Sequence, residues 1–486
     1  MVRVQVGAAK HVTAAGGVAN MANAPTAKPP EAWEPLFKLA RLARRPLETF
    51  LKIEAASGII LIVAAAIALG WVNSPWRASY AALWHTPIGI QLGDFTFVRP
   101  LEWVVNDGLM AIFFFVVGLE IRREIHHGEL SSLQRAALPL AAALGGMLVP
   151  AGIYVLIAGA PATASGWGIP MATDIAFAVG ILTLLGKRVP PALRVLLLAL
   201  AVIDDLGAIV VIAIFYSKGL IIAGFGVGAA GIAAIFAMQW IGVRSKLAYV
   251  APAVVAWAGV YAAGVHPTIA GVIVGLITPV RAWLGPEKFI NNLRAQVSTL
   301  AALPDAELQS HELAHQLHDI DEARREAISP AESLIETLHP WVAYAIMPIF
   351  ALANAGVSFD GIDLSGAGAS AAIGVGLGLS LGKPLGVIAA CTLALKLRIA
   401  VLPAGLSGRH LLVLGLVAGV GFTMSLFIAQ LAFPGAALLA DAKLGVLVAS
   451  AAAGAIALVV GRLLLHPAPP REAAETADEA ESSTEK

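Results

Sequence analysis

Hydrophobic residues fall along this chain in long runs, each near the length of a bilayer span, with short polar breaks between them. A transmembrane helix needs roughly 17–25 mainly apolar residues. About twelve runs meet that requirement, at 53–73, 101–120, 136–159, 169–186, 193–216, 220–241, 247–264, 266–281, 340–357, 369–395, 410–432 and 442–464. The pattern predicts an all-α polytopic membrane protein with a membrane domain over 49–465. Glycine and proline interrupt several runs, which membrane helices tolerate because neighbours re-satisfy the freed backbone groups. The tails, 1–48 and 466–486, are polar and charged and are expected to be disordered. In "IGIQLGDFTFV", two β-prone runs flank Gly93-Asp94, which predicts a two-residue hairpin over 88–98. A lone hairpin is marginal in water, so it wants a partner, such as the same hairpin of a second subunit. Within the long polar segment 282–338, Leu313, Leu317 and Ile320 fall at i, i+4 and i+7 and predict an amphipathic helix.

Composition sharpens the class. The 486 residues are 58% hydrophobic and 13% charged, whereas soluble domains sit near half apolar and a quarter charged. The formal net charge of +0 gives no basic excess to suggest nucleic acid. The single cysteine, Cys391, cannot close an intrachain disulfide. Residues 1–45 hold no apolar h-region, so no cleavable signal peptide is expected and the first span acts as its own insertion signal. Lys and Arg cluster at alternate loops: Arg122, Arg123, Arg135, Lys187, Arg188, Arg244, Lys246, Lys396, Arg398 and Arg409 fall on one side with Arg44 and Arg45, against Arg77, Arg99, Lys218 and Lys443 on the other. The positive-inside rule then predicts cytoplasmic termini, a cytoplasmic 282–338 segment and an even number of spans.

Five ionisable residues lie well inside the apolar runs: Asp107, Asp174, Asp204, Asp205 and Lys383. Each costs about 2.5–3.5 kcal/mol at a helix centre, and the default reading of such a group is an ion or proton pathway. Asp204 and Asp205 are adjacent, about 100° apart on a helix. One can face a cavity while the other faces a neighbouring helix. Burial and mutual repulsion both favour the protonated forms, which suits a group that exchanges a proton for a cation. The plainer reading is a salt-bridged pair that only locks helices. Lys383 stands beside Gly374, Gly378, Gly382 and Gly386, a small-residue stripe four apart that predicts close packing on a neighbouring helix. A buried lysine wants a partner, and Asp204 or Asp205 is the candidate; snorkelling towards an interface is the alternative.

Asp174 lies in "GIPMATDIAFAVG", after Pro170 and Thr173. A second interrupted segment, "GVGFTMSLF", carries Gly419, Gly421 and Thr423. Paired broken spans in the two halves of a transporter point to its binding site. Asp174 would neutralise helix N-termini there, and Thr173 would offer an oxygen to a cation. Glu120, Arg123, Glu124, His126 and His127 after the second span, with Glu336 and His339 before the ninth, form a cluster at cytoplasmic ends; His266 lies near the outer end of the eighth. Histidines beside carboxylates suit pH sensing; solvated loop charge is the simpler account.

"IPMATDIAFAVG", "LALAVIDDLGAIVVIAIFY", "GVHPTIAGVIVG", "LHPWVAY", "ALANAGVS", "LGKPLG" and "GVGFTMSLFIAQLAF" together resemble the motifs of the NhaA-type sodium/proton antiporters, in order from about residue 50 to 465. The resemblance implies twelve helices in inverted repeats, with segments 4 and 11 discontinuous and crossing near the midplane. It makes Asp205 the principal cation ligand and proton carrier, Asp204 the neighbour that pairs with Lys383, and Thr173 and Asp174 the threonine–aspartate at the break. It ties Glu120, Glu124, Glu336, His339 and His266 to pH regulation. It implies an electrogenic Na⁺(Li⁺)/H⁺ antiporter of a bacterial inner membrane, exchanging two protons per sodium, without a cofactor, and a homodimer joined through the 88–98 hairpin. Thr337 departs from the family, some members having histidine there, and the 282–338 segment is longer than the family leads one to expect. Two other classes fit two membrane aspartates or a cation route. An intramembrane aspartyl protease would place its aspartates on different helices, and no Gly-x-Gly-Asp is present. A cation channel would show repeated filter residues.

Overall fold

The computed structural model describes residues 55–93, 95–217, 219, 221–302, 311–360 and 366–466; both tails and Asp94 lie outside the described residues. Helix α1 (Ala55–Val72) turns sharply, by 117°, into α2 (Arg77–Trp84). Strands β1 (Pro87–Leu92) and β2 (Phe95–Pro100) pair antiparallel, and Leu92 opposite Phe95 leaves the two-residue connection expected at Gly93-Asp94. Then come α3 (Leu101–His127), α4 (Leu133–Ala158), a 3₁₀ turn (Ala164–Met171), α5 (Ile175–Leu185), α6 (Pro191–Phe215), α7 (Ile222–Ile241), α8 (Val250–Ala262) and α9 (Thr268–Ile277). Two polar helices, α10 (Pro286–Ala302) and α11 (His311–Ala327), pack on each other. The chain closes with α12 (Pro330–Asn354), α13 (Gly366–Lys396), α14 (Gly408–Ala418), α15 (Phe422–Ala432) and α16 (Ala436–Leu464).

Among the described residues, eight helices are long and apolar enough to cross a membrane; α14 with α15 is a further candidate, bent by 45°, as is α1 with α2, and Lys246–Ala262 and Thr268–Ile277 are shorter apolar helices. Large apolar side chains such as Leu148, Leu156, Ile214, Ile222 and Val448 stand exposed around the bundle. Water would penalise so much uncovered apolar surface, and hydrocarbon does not.

Two element boundaries differ from the apolar runs. The long polar segment 282–338 is not a bare loop: it holds α10, α11 and the first turns of α12, which begins at Pro330 because Ser329 caps the amide of Glu332. The predicted amphipathic helix is α11, with Leu317 exposed on it. Likewise α16 begins at Ala436, so Lys443, expected at the outer end of the run 442–464, is buried about two turns inside a helix with Asp441.

Two groups of helix contacts stand out, bridged by α1, which packs on both α5 and α12. Helices α3, α9 and α12 pack together, while α13 packs on α4, α14 and α16, and α16 also covers α5 and α15. The glycine stripe of α13 faces α4: a Cβ on Gly386 would stand 2.1 Å from the Gly145 carbonyl oxygen, and one on Gly382 would stand 2.9 Å from Pro150 Cα. Main chains therefore touch where larger residues would hold them apart.

Candidate ion-binding site

Two interruptions of helix meet inside the second group. After the 3₁₀ turn, Ala172 and Asp174 are extended, and α5 starts only at Ile175. Between α14 and α15 the helix stops at Gly419–Gly421. The Asp174 amide donates to the Val420 carbonyl at 2.8 Å, and Thr173 Oγ1 lies 3.1 Å from the Ala418 carbonyl oxygen. Gly421 permits the approach: a Cβ there would lie 2.9 Å from the Ala172 carbonyl oxygen. Broken helices leave terminal amides without intrahelical acceptors. Asp174 answers two sets of them. Its Oδ1 accepts from the Phe177 amide at 3.1 Å, capping α5, and its Oδ2 accepts from the Thr423 amide at 3.1 Å and from the Thr423 hydroxyl, capping α15. One wholly buried carboxylate thus sits at the positive ends of two helices.

Helix α6 brings Asp204 and Asp205 against this junction. Asp204 Oδ2 lies 2.7 Å from Lys383 Nζ and accepts from Thr173 Oγ1 at 2.6 Å. Lys383 also donates to the Met171 carbonyl. It follows a π-helical turn at Gly378–Gly382, a widening often found at functional sites. Asp205 differs. It is wholly buried, yet neither of its oxygens has a hydrogen-bond partner among the described residues, nor has Asp204 Oδ1. Buried polar atoms are normally satisfied, so these three oxygens, on consecutive residues of α6, stand out as acceptors without a donor among the described residues. Hard cations take oxygen ligands, and a proton satisfies the same atoms.

The structure therefore gathers Thr173, Asp204, Asp205 and Lys383, and sets Asp174 one residue along, in the break itself. It does not join Asp174 to Lys383. Of the residues linked to pH, Glu120 is half-buried on α3, close enough for its charge to act on Asp205. Glu124 accepts from the Glu129 amide at 3.0 Å, while Glu336 and His339 are exposed on α12. His266 stands apart, towards the end of the bundle that carries the hairpin. Its Nε2 lies 3.5 Å from Asp107 Oδ1, and its Nδ1 shares a hydrogen bond of 2.8 Å with Thr268.

Sequence reasoning missed the neutral members. Thr423 appeared as part of a break and not as the partner of Asp174. Ser425 donates to the Ile169 carbonyl, and Ser450 receives the Phe422 amide at 3.0 Å, both inside the junction. Asn106, Asn354 and Gln430 form a chain of side-chain amides elsewhere between the helices. Apart from Thr173, the residues that stand out inside the apolar runs are ionisable; a further amide or hydroxyl there is the signal that would have found them.

Apolar flanks, interrupted helices and buried carboxylates define a multi-pass membrane protein with charged groups held in its interior. The family model described as Na⁺/H⁺ antiporter 1 matches residues 48–461, and the chain belongs to that family, of the NhaA type. It is 68% identical to the Na⁺/H⁺ antiporter NhaA 2 of Myxococcus xanthus over 94% of this chain and 98% of that protein. It is 55% identical to the protein of the same name from Sorangium cellulosum over 96% of this chain and 100% of that one. Among solved structures, the sodium proton antiporter MjNhaP1 of Methanocaldococcus jannaschii is similar at TM-score 0.46 and 13% identity, covering 87% of this chain and 99% of that chain.

Proposed function

We propose that this protein is an electrogenic, pH-regulated Na⁺(Li⁺)/H⁺ antiporter of a bacterial inner membrane, and not an enzyme. It would span the bilayer twelve times with both termini in the cytoplasm and the hairpin end outside. Segments 4 and 11 would be the discontinuous pair of two inverted repeats. The observation that carries the reading is the Asp205 carboxylate: buried, without a hydrogen-bond partner among the described residues, next to an aspartate already neutralised by Lys383. A sodium ion that enters sheds water and needs replacement oxygens. Asp205 supplies two, Asp204 Oδ1 a third and Thr173 a hydroxyl. When sodium leaves, the carboxylates take protons instead, because an uncompensated charge in hydrocarbon is costly. Competition for the same oxygens couples the two fluxes. Rocking of one helix group against the other would expose the site to each side in turn.

Asp174 holds the broken helices together in this scheme, and Glu120, Glu124, Glu336, His339 and His266 would set the pH response. The exposed Ile88, Ile90 and Val98 of the hairpin would join two subunits. Neither competing class draws support from the geometry: Asp204 and Asp205 are consecutive on one helix, not opposed as a protease dyad requires, and Lys383 is paired with Asp204, which disfavours a cation channel.

The test is flux in proteoliposomes with an imposed ΔpH. Sodium or lithium, and not potassium, should collapse the pH gradient, faster with a membrane potential of the favourable sign. Collapse by potassium at equal rates, or sodium flux without counter-movement of protons, would rule the reading out.

A further inference from the structure

The side-chain amides of Asn106, Asn354 and Gln430 have no part in ion binding as described, yet Gln430 stands on the same face of α15 as Thr423. Along α15, Thr423 holds Asp174, Phe427 follows one turn later and Gln430 three residues beyond. At 1.5 Å per residue, Gln430 lies roughly 10 Å further towards the hairpin end than Thr423. Gln430 Nε2 donates to Asn354 Oδ1 at the end of α12, and Asn354 Nδ2 donates to Asn106 Oδ1 on α3 at 2.8 Å. Asn106 sits in the π-helical turn Val104–Leu109. Beneath the amides, the Phe427 ring meets Phe114 of α3 at 5.5 Å, Phe350 of α12 at 6.1 Å and the edge of His266 at 5.3 Å. Phe114, Phe350 and Asn354 have no exposure to solvent, and Phe427 is 1% exposed.

We infer that this two-layer contact is the gate that closes the site towards the hairpin end: an amide clasp of Gln430, Asn354 and Asn106 over an aromatic plug centred on Phe427. It joins α15, which packs with α16 in one helix group, to α3 and α12 in the other. If the groups rock apart to open that end, these bonds must break. The clasp suits a reversible latch. Its bonds are specific and partly buried, so closing is well defined, but they join neutral groups, so opening strands no charge. The inference rests on the alternating-access reading above.

Two experiments test it. In the first, Asn354→Cys and Gln430→Cys are combined and bridged with a short, reducible bifunctional thiol reagent in proteoliposomes. Cys391, the one native cysteine, is buried. Bridging should cut Na⁺/H⁺ exchange by roughly tenfold or more, with recovery on reduction, because a held gate blocks the cycle. In the second, Thr268→Cys reports access: Thr268 is 2% exposed and bonded to His266 beside the plug. Gln430→Leu, which keeps bulk but removes the donor, should speed labelling of that cysteine several-fold with an impermeant thiol reagent from the hairpin side. Exchange undiminished after complete bridging would overturn the gate, as would unchanged labelling in Gln430→Leu. Should the double cysteine variant fail to fold, the labelling experiment decides. If the parent protein shows no exchange at all, the antiport reading falls instead, so the two failures are separable.

Discussion

Lys383 Nζ lies 2.7 Å from Asp204 Oδ2, and both side chains are wholly buried. Neither charge has water to turn to, so each is the other's compensation. Removing one partner of such a pair costs about 3–5 kcal/mol, whereas removing both together is far less damaging. Lys383→Ala should therefore lower the melting temperature in detergent markedly, and Lys383→Ala with Asp204→Asn should recover much of the loss. Equal melting temperatures for the parent and Lys383→Ala would show that the pair contributes nothing to the fold.

The neighbouring aspartate should behave in the opposite way. Asp205 makes no hydrogen bond among the described residues, so Asp205→Asn breaks none and removes a buried charge. Stability should hold or rise. Exchange, and the release of protons when sodium is added to purified protein, should vanish. A variant that still exchanges sodium for protons at the parental rate would disprove the ligand assignment.

Much of this arrangement was legible before the structure, and the parts that were not have physical reasons. Long apolar runs disclose spans because a bilayer imposes both length and composition, and the hairpin register follows from Gly93-Asp94 between β-prone residues. The glycine stripe of α13 told that a helix packs there, but not that it is α4. From the residues alone Lys383 could bond either aspartate, because how α6 is rotated is not contained in one helix's sequence; the family resemblance named Asp204, and the structure pairs the two. The double cap made by Asp174 joins residues 249 apart in sequence. The start of α16 lies a few residues before the run at 442 because Asp441 breaks the apolar pattern, and the clasp escaped notice because amides carry no charge.

Asp174 offers a structural prediction distinct from that for Asp205. Its carboxylate satisfies the amides of Phe177 and Thr423. Losing an N-cap costs about 0.5–2 kcal/mol, and here two caps go at once in a dry site. Asp174→Ala should melt well below the parent, and Asp174→Asn, which keeps an acceptor oxygen, should fall between them. Thr423→Val should lose part of the same stability and Thr423→Ser little of it. Thermal melts of the five proteins in one detergent check the order; an Asp174→Ala variant as stable as the parent would mean that the breaks hold themselves.

The contact of Gly145 with Gly386 sets the distance between α4 and α13, and with it the reach of Lys383. A Cβ on Gly386 would stand 2.1 Å from the Gly145 carbonyl oxygen, and one on Gly145 would stand 2.2 Å from that of Gly386. Both obstacles are main chain, which moves only with its helix. Gly376, on the same helix, would meet nothing within 4 Å. In an ordinary helix the Gly→Ala change is favourable by up to about 1 kcal/mol, so Gly376→Ala should be neutral or stabilising. Gly386→Ala should instead cost roughly 1–3 kcal/mol, as overpacking does. Because Lys383 is three residues away, displacing α13 should also weaken its hold on Asp204 and slow exchange. Melting temperature and flux, measured side by side for the two alanine variants, test both effects: if Gly386→Ala is as benign as Gly376→Ala, close main-chain packing does not position the lysine.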